Sequence, residues 1–141
     1  MLEKILCATD GSRASEAAVA FATSFAKVLG VPVCFLALER ATSAKAQKSR
    51  YWGSEVLKAA DEQTSRELAH ARRHAEENGL KDVTCVTVQA RDVDEAIAEY
   101  AASEGYDHIV TGHAGKTAMS RIGSVAYGVA EKASCPVTVV R

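Results

Sequence analysis

Apolar and polar positions along this chain fall into repeating blocks. Short apolar runs alternate with longer stretches at helical spacing. Lys4 to Thr9 (KILCAT) is apolar and ends at Asp10-Gly11, which predicts a strand. Ala14 to Leu29 carries Ala17, Phe21, Phe25, Val28 and Leu29 at helical spacing, and Gly30 supplies a C-terminal stop. Val31 to Leu38 (VPVCFLAL) predicts a second buried strand. Residues 39–52 (ERATSAKAQKSRYW) break the rhythm. Arg40, Lys45, Lys48 and Arg50 stand there against Glu39 alone. A solvated connection is expected, with a basic lid over a bound anion as the alternative. A long helix follows from Ser54 to Asn78 and stops at Gly79. Val83 to Gln89 reads as a third strand. Asp92 and Glu95 then have the spacing of a capping box at a helix start. Tyr106 to Gly112 is a fourth strand. A glycine loop, a helix over Val125 to Ala133 and a last strand at 136–140 complete the pattern.

Strands alternating with helices imply a parallel sheet covered on both faces. Right-handed crossovers restrict the topology further. The expected class is α/β: a single flavodoxin-like domain over residues 1–141, with an open parallel five-stranded sheet in the order 3-2-1-4-5. The strand order reverses between strands 1 and 4, and ligands bind such sheets beyond the carboxyl ends of the strands at that point. Ala8-Thr9-Asp10-Gly11-Ser12 and Thr111-Gly112-His113-Ala114-Gly115-Lys116-Thr117 should therefore be neighbours, although about a hundred residues separate them.

Composition adds exclusions. Hydrophobic residues make up 48% and charged residues 25% of 141 positions, an ordinary globular balance. Net charge is −1, without the basic surplus expected of a nucleic-acid-binding chain. No apolar run approaches membrane-helix length, and the start MLEKILCATDGS lacks a signal-peptide pattern. A cytoplasmic protein without membrane or nucleic-acid partners is expected. Cys7, Cys34, Cys85 and Cys135 show no CxxC spacing. They read as structural thiols, with Cys135 the most reachable.

The candidate chemistry lies in TGHAGKTAMSRIGS, residues 111–124. A phosphate-binding P-loop needs G-x-x-x-x-G-K-[ST], whereas only two residues separate Gly112 from Gly115. Glycines allow close approach of backbone amides to a phosphate, and a helix N-terminus adds free N–H groups and partial positive charge. Gly123-Ser124 opens a helical segment, and Lys116 adds a full charge. The motif alone leaves a phosphate cradle and a glycine-rich turn both open. Asp10 likewise could accept hydrogen bonds from a ribose or adenine, or simply begin a turn with Ser12 as N-cap.

The stretches ILCATDGS, VPVCFLAL and TGHAGKTAMSRIGSVAYGVAEKASCPVTVV together resemble the universal stress protein family, end to end apart from the variable 39–55 region. The ATP-binding members are similar to G-x-x-G, nine residues, then G-[ST]. Here the spacer, Lys116 to Ile122, has seven residues, and Ala114 stands where the family often has histidine. The resemblance implies an adenine-nucleotide site. Asp10 would contact the adenosine moiety, with Ala8 and Thr9 lining the same edge and Leu38 reading the adenine edge. Gly112 matches the ribose-side glycine, Gly115 and Lys116 phosphate-side positions, and Gly123, Ser124 and Val125 the second phosphate segment. ATP, with or without Mg2+, is the implied cofactor. A homodimer joined through Val137 to Val140 and a protein partner of unassigned identity are the implied partners. A dimeric adaptor without nucleotide is the alternative function. A slow ATPase ranks below it because no water-activating constellation is present, and no residue is assigned a catalytic role. His70 and His74, at i and i+4, read as a solvated helix face rather than metal ligands. His108 reads as structural, and His113 as a candidate phosphate contact.

Overall fold

The computed structural model describes residues 2–40, 48–52, 62–114 and 122–141, with side chains omitted at 39–40, 48–52 and 62–63. Six strands and four helices follow in the order β1 (Ile5–Thr9), α1 (Arg13–Leu29), β2 (Val33–Arg40), β3 (Lys48–Trp52), α2 (Glu62–Glu77), β4 (Val83–Ala90), α3 (Val93–Ser103), β5 (His108–Gly112), α4 (Ser124–Lys132) and β6 (Val137–Val140). The sheet order is β3-β4-β2-β1-β5-β6. Leaving out β3, this is the expected five-stranded parallel arrangement 3-2-1-4-5, a flavodoxin-like fold. β1 pairs in parallel with β2, Ile5 opposite Val33, and with β5, Ile5 opposite His108.

The strand β3 departs from the sequence expectation. Part of the polar 39–52 stretch pairs antiparallel with β4, Lys48 opposite Gln89 and Trp52 opposite Cys85. An edge strand needs only one hydrogen-bonded neighbour, so a basic, weakly apolar sequence can fill it. The backbone of Lys48 and Arg50 thus belongs to the sheet. Residues 41–47, including Lys45 of the suggested lid, lie outside the described residues. So does 53–61, the proposed start of the long helix.

Two apolar layers flank the sheet. On one face Ile5, Cys7, Phe35, Cys85 and Val110 pack with Ala18, Ala22 and Ala26 of α1 and Leu68, Ala71 and Ala75 of α2. On the other, Leu6, Cys34, Leu36, Val86 and Ile109 pack with Ile97 and Ala101 of α3 and Val129 of α4. The buried stripe of α1 is Ser15, Ala18, Val19, Ala22, Thr23 and Ala26. This corrects the expected stripe: Phe21 is 39% exposed, Val28 83% and Leu29 44%. Small residues let the helix lie close against the sheet, so the alanine face wins over the larger side chains. Thr23 Oγ1 donates to the Val19 carbonyl at 2.8 Å, so its buried hydroxyl is satisfied. Gly30 ends α1 in the left-handed region at φ 69° as expected, donating to the Ala26 carbonyl at 2.8 Å.

Cys7, Cys34 and Cys85 are buried free thiols, and Cys135 is partly exposed. Burial pushes the Cys85 thiol up to about 11 and raises Cys7 and Cys34 as well. Such thiols are protonated and poor nucleophiles. His108 is buried and structural, as the sequence suggested. Its ring meets Phe25 edge-on at 5.2 Å, and Nε2 lies 2.7 Å from Thr138 Oγ1 of β6.

Candidate functional site

The carboxyl ends of β1 and β5 meet where the strand order reverses. β1 leads into a tight turn at Asp10-Gly11-Ser12. Asp10 Oδ1 accepts the Ser12 N–H at 2.9 Å, and Gly11 takes φ 77°. Ser12 then caps α1, its Oγ accepting the Ser15 N–H at 3.1 Å. Asp10 builds the turn through Oδ1, and it also lines a cavity. Gly112 closes β5 against the first turn of α1. An added Cβ there would lie 2.7 Å from both the carbonyl carbon and oxygen of Ala14. The two segments separated by a hundred residues are in contact because residue 112 has no side chain.

A cavity of about 1010 Å³ opens above this junction. It is at the upper end of the range typical of small-molecule sites. Ala8, Thr9, Asp10, Leu38, Gly112, Gly123, Ser124 and Val125, all sequence candidates, line it. Gly115 and Lys116 lie outside the described residues. Thr111, Ala114 and Ser15 complete the strand-end wall. The remaining wall was not foreseen. It consists of Val93, Asp94 and Ile97 of α3, Ile122, and Ala126, Tyr127, Gly128, Glu131 and Lys132 of α4. One signal for it was present in the sequence: a glycine inside a helical run, Gly128, marks a close packing contact.

The helix α4 presents its N-terminus to this cavity. Its first internal bond runs from the Tyr127 N–H to the Gly123 carbonyl at 3.0 Å. The amides of Ser124, Val125 and Ala126 precede that bond, so they have no acceptor within the helix. Gly123 provides no side-chain cap. These donors and the helix dipole make the cavity wall at 124–126 receptive to an anion. The Gly123 amide itself is not available. It donates to the His113 carbonyl at 2.6 Å, while the His113 amide donates to Val140 at 2.8 Å. Gly123 therefore ties the start of α4 to His113 through its N–H. The imidazole Nδ1 of His113 is buried without a hydrogen-bond partner among the described residues.

At the start of α3 the expected capping box is not formed. Asp92 occupies the N-cap position but its side chain makes no cap bond. Asp94 takes over the local chemistry: Oδ1 accepts the Glu95 N–H at 2.8 Å, and Oδ2 accepts from Lys132 Nζ at 2.9 Å. The hydrogen bond from Lys132 holds the Asp94 carboxyl below its ordinary value. A second cavity, of about 170 Å³, lies between α1 and α2 beside Gly11, Glu16, Glu67 and His70. Among the described residues, no group of three His, Cys, Asp or Glu side chains is arranged to hold a metal ion. No described helix is long and apolar enough to cross a membrane.

A doubly wound sheet with a glycine-lined cavity at its switch point is an α/β architecture in which ligands bind beyond the carboxyl ends of the strands. The full chain, residues 1–141, matches the sequence profile of the universal stress protein family. It is 34% identical over 146 aligned positions to a universal stress protein of Methanocaldococcus jannaschii, covering 100% of this chain and 83% of that one. The chain belongs to the universal stress protein family. Solved structures share the fold. A universal stress protein in complex with cAMP superposes with a TM-score of 0.75 at 24% identity, covering 99% of this chain and 97% of that one. A universal stress protein from Archaeoglobus fulgidus in complex with dAMP gives 0.69 at 21% identity, covering 100% and 98%.

Proposed function

We propose that this protein binds an adenine nucleotide, ATP in the first instance, in the cavity between β1 and β5. One observation carries this reading: the first-turn amides of α4 face the same cavity as Asp10 and Leu38. That arrangement offers an anion cradle at one wall and a carboxylate with an apolar edge at another. In the proposed pose the phosphates meet the amides of Ser124, Val125 and Ala126 and the Ser124 hydroxyl. Asp10 accepts from a ribose hydroxyl, and Leu38 and Ala8 flank the base. The fit extends to the chemistry of the donor set, since helix-end amides and a hydroxyl donate hydrogen bonds to phosphate oxygens. In this reading Gly112 borders the ribose, Gly115 and Lys116 would border the phosphates, and Mg2+ would accompany ATP as a counter-charge. The family members seen with cAMP and dAMP support an adenine ligand here.

We further propose a cytoplasmic homodimer joined through β6, which among the described residues has a hydrogen-bonded neighbour on one side only, β5. Nucleotide occupancy would alter the surface offered to a protein partner. The observation favouring the alternative, an adaptor without nucleotide, is the Gly123–His113 bond, which removes one amide from the cradle. Calorimetric titration of nucleotide-free protein separates the two. Gly123→Val places a branched side chain at the cradle's entrance and should abolish ATP binding. Retained binding in that variant would remove α4 from the site.

A further inference from the structure

The cradle amides belong to a helix of nine residues, and something must hold so short an element in register. The contact with α3 does this through one carboxylate. An added Cβ at Gly128 would sit 1.9 Å from Asp94 Oδ2 and 2.7 Å from its Cγ. The Asp94 carboxylate thus fills the space that a side chain at 128 would need. One helical turn further along α4, Lys132 Nζ reaches the same oxygen at 2.9 Å. Asp94 Oδ1 is fixed in turn by the Glu95 amide at 2.8 Å. Gly128 gives room, Lys132 gives charge, and both oxygens of Asp94 are engaged.

Gly128 is also one turn from Ser124, about 6 Å along the axis. All four residues, Asp94, Ser124, Gly128 and Lys132, line the same cavity. A shift of α4 along α3 would therefore carry the cradle amides with it. We propose that the Asp94–Lys132 pair, seated over Gly128, is a latch that positions the N-terminus of α4 for the ligand's phosphate. Asp94 and Lys132 are positioning residues in this account, which rests on the nucleotide-binding reading above. The Lys132 hydrogen bond, which lowers the Asp94 carboxyl below its ordinary value, is consistent with the role.

The latch acts on the phosphate end alone, which gives a test with an internal control. Adenosine lacks the phosphate and, in the proposed pose, meets the strand-end wall of β1, β2 and β5 rather than the N-terminus of α4. Asp94→Asn preserves shape and removes the charge, and Lys132→Met removes the partner. Each should weaken AMP binding about fivefold, the upper range for a partly exposed ion pair. Adenosine affinity should stay within about twofold of wild type. The double variant should be no worse than either single one, because both remove the same interaction. Lys132→Arg should restore AMP affinity. Amide hydrogen exchange at Tyr127 to Val129 should accelerate in Asp94→Asn while α1 is unchanged. Equal weakening of AMP and adenosine, or no change in either, overturns the latch. If the wild-type protein binds neither compound, the nucleotide reading itself fails. The latch is then decided by exchange alone: unchanged protection of α4 in Asp94→Asn overturns it, and selective loss of protection in α4 sustains it as the device that fixes this helix.

Discussion

Gly112→Ala is the sharpest test of how β1, β5 and α1 are assembled beneath the cavity. The glycine has no left-handed backbone requirement, since positive φ among the described glycines occurs at Gly11, Gly30, Gly79 and Gly105. Any cost must therefore come from contact. The new methyl would lie 2.7 Å from the Ala14 carbonyl carbon and oxygen, and 3.0 Å from its Cβ. Optimal carbon contacts are about 3.5–4.0 Å, so β5 and α1 must separate by close to an ångström. The partners are backbone atoms of a capped helix, which cannot rotate away as a side chain would. Overpacking of this kind costs about 1–3 kcal/mol. Against it stands a gain of about 0.4–1 kcal/mol, because alanine restricts the unfolded chain. The net expectation is a loss of about 1–2 kcal/mol, or a fall in Tm of roughly 3–8 °C for a chain of this size. Urea unfolding followed by circular dichroism would read it as a lower midpoint at unchanged slope. Adding Ala14→Gly should not rescue the variant, because the 2.7 Å contacts are to backbone. An unchanged or higher midpoint for Gly112→Ala would refute the packing argument.

Further expectations follow from the same geometry. Ser12→Ala removes the acceptor for the Ser15 N–H and should cost about 1 kcal/mol in urea unfolding. Asp10→Ala should weaken nucleotide binding in calorimetry and also loosen the turn that presents Ser12, whereas Asp10→Asn should keep the turn and lose mainly ligand affinity. Burial lowers the pKa of His108 below its ordinary value, with the nearby Asp107 carboxylate opposing. The unfolded chain therefore takes up this proton first. The stability contribution is present above about pH 6.5, the unfolded value, and is lost as pH falls through the lower folded pKa. Urea midpoints measured across that window should decline, and His108→Gln should flatten the decline.

Much of the fold was legible in the sequence, for physical reasons that differ by element. The apolar runs KILCAT, VPVCFLAL and VTCVTVQ are buried on both faces, so they announce themselves without alternation. The edge strand β3 has no such pressure, and KSRYW reads as a polar connection. In α1 the aromatic residues drew attention to the wrong stripe, because spacing says nothing about how closely a helix approaches the sheet. Alanine at 18, 22 and 26 settles that. The Asp92–Glu95 spacing fits a capping box, but Asp94, lying between the two, found stronger partners in Glu95 N–H and Lys132. The cavity's strand-end wall was readable because topology brings residues 8–12 and 111–114 together. Its α3–α4 wall was not, since the partnership of Asp94 with Gly128 and Lys132 spans more than thirty residues and has no spacing rule.

The central claim is that the open amides at the start of α4 bind the phosphate of an adenine nucleotide. Its most direct test is an amide-resolved NMR titration of nucleotide-free protein with AMP and with ATP plus magnesium. The account predicts saturable shifts at Ser124, Val125 and Ala126 together with Asp10 and Leu38, with adenosine moving the latter pair alone. Saturation that leaves residues 124–126 unmoved, or no shift at millimolar nucleotide, would contradict it.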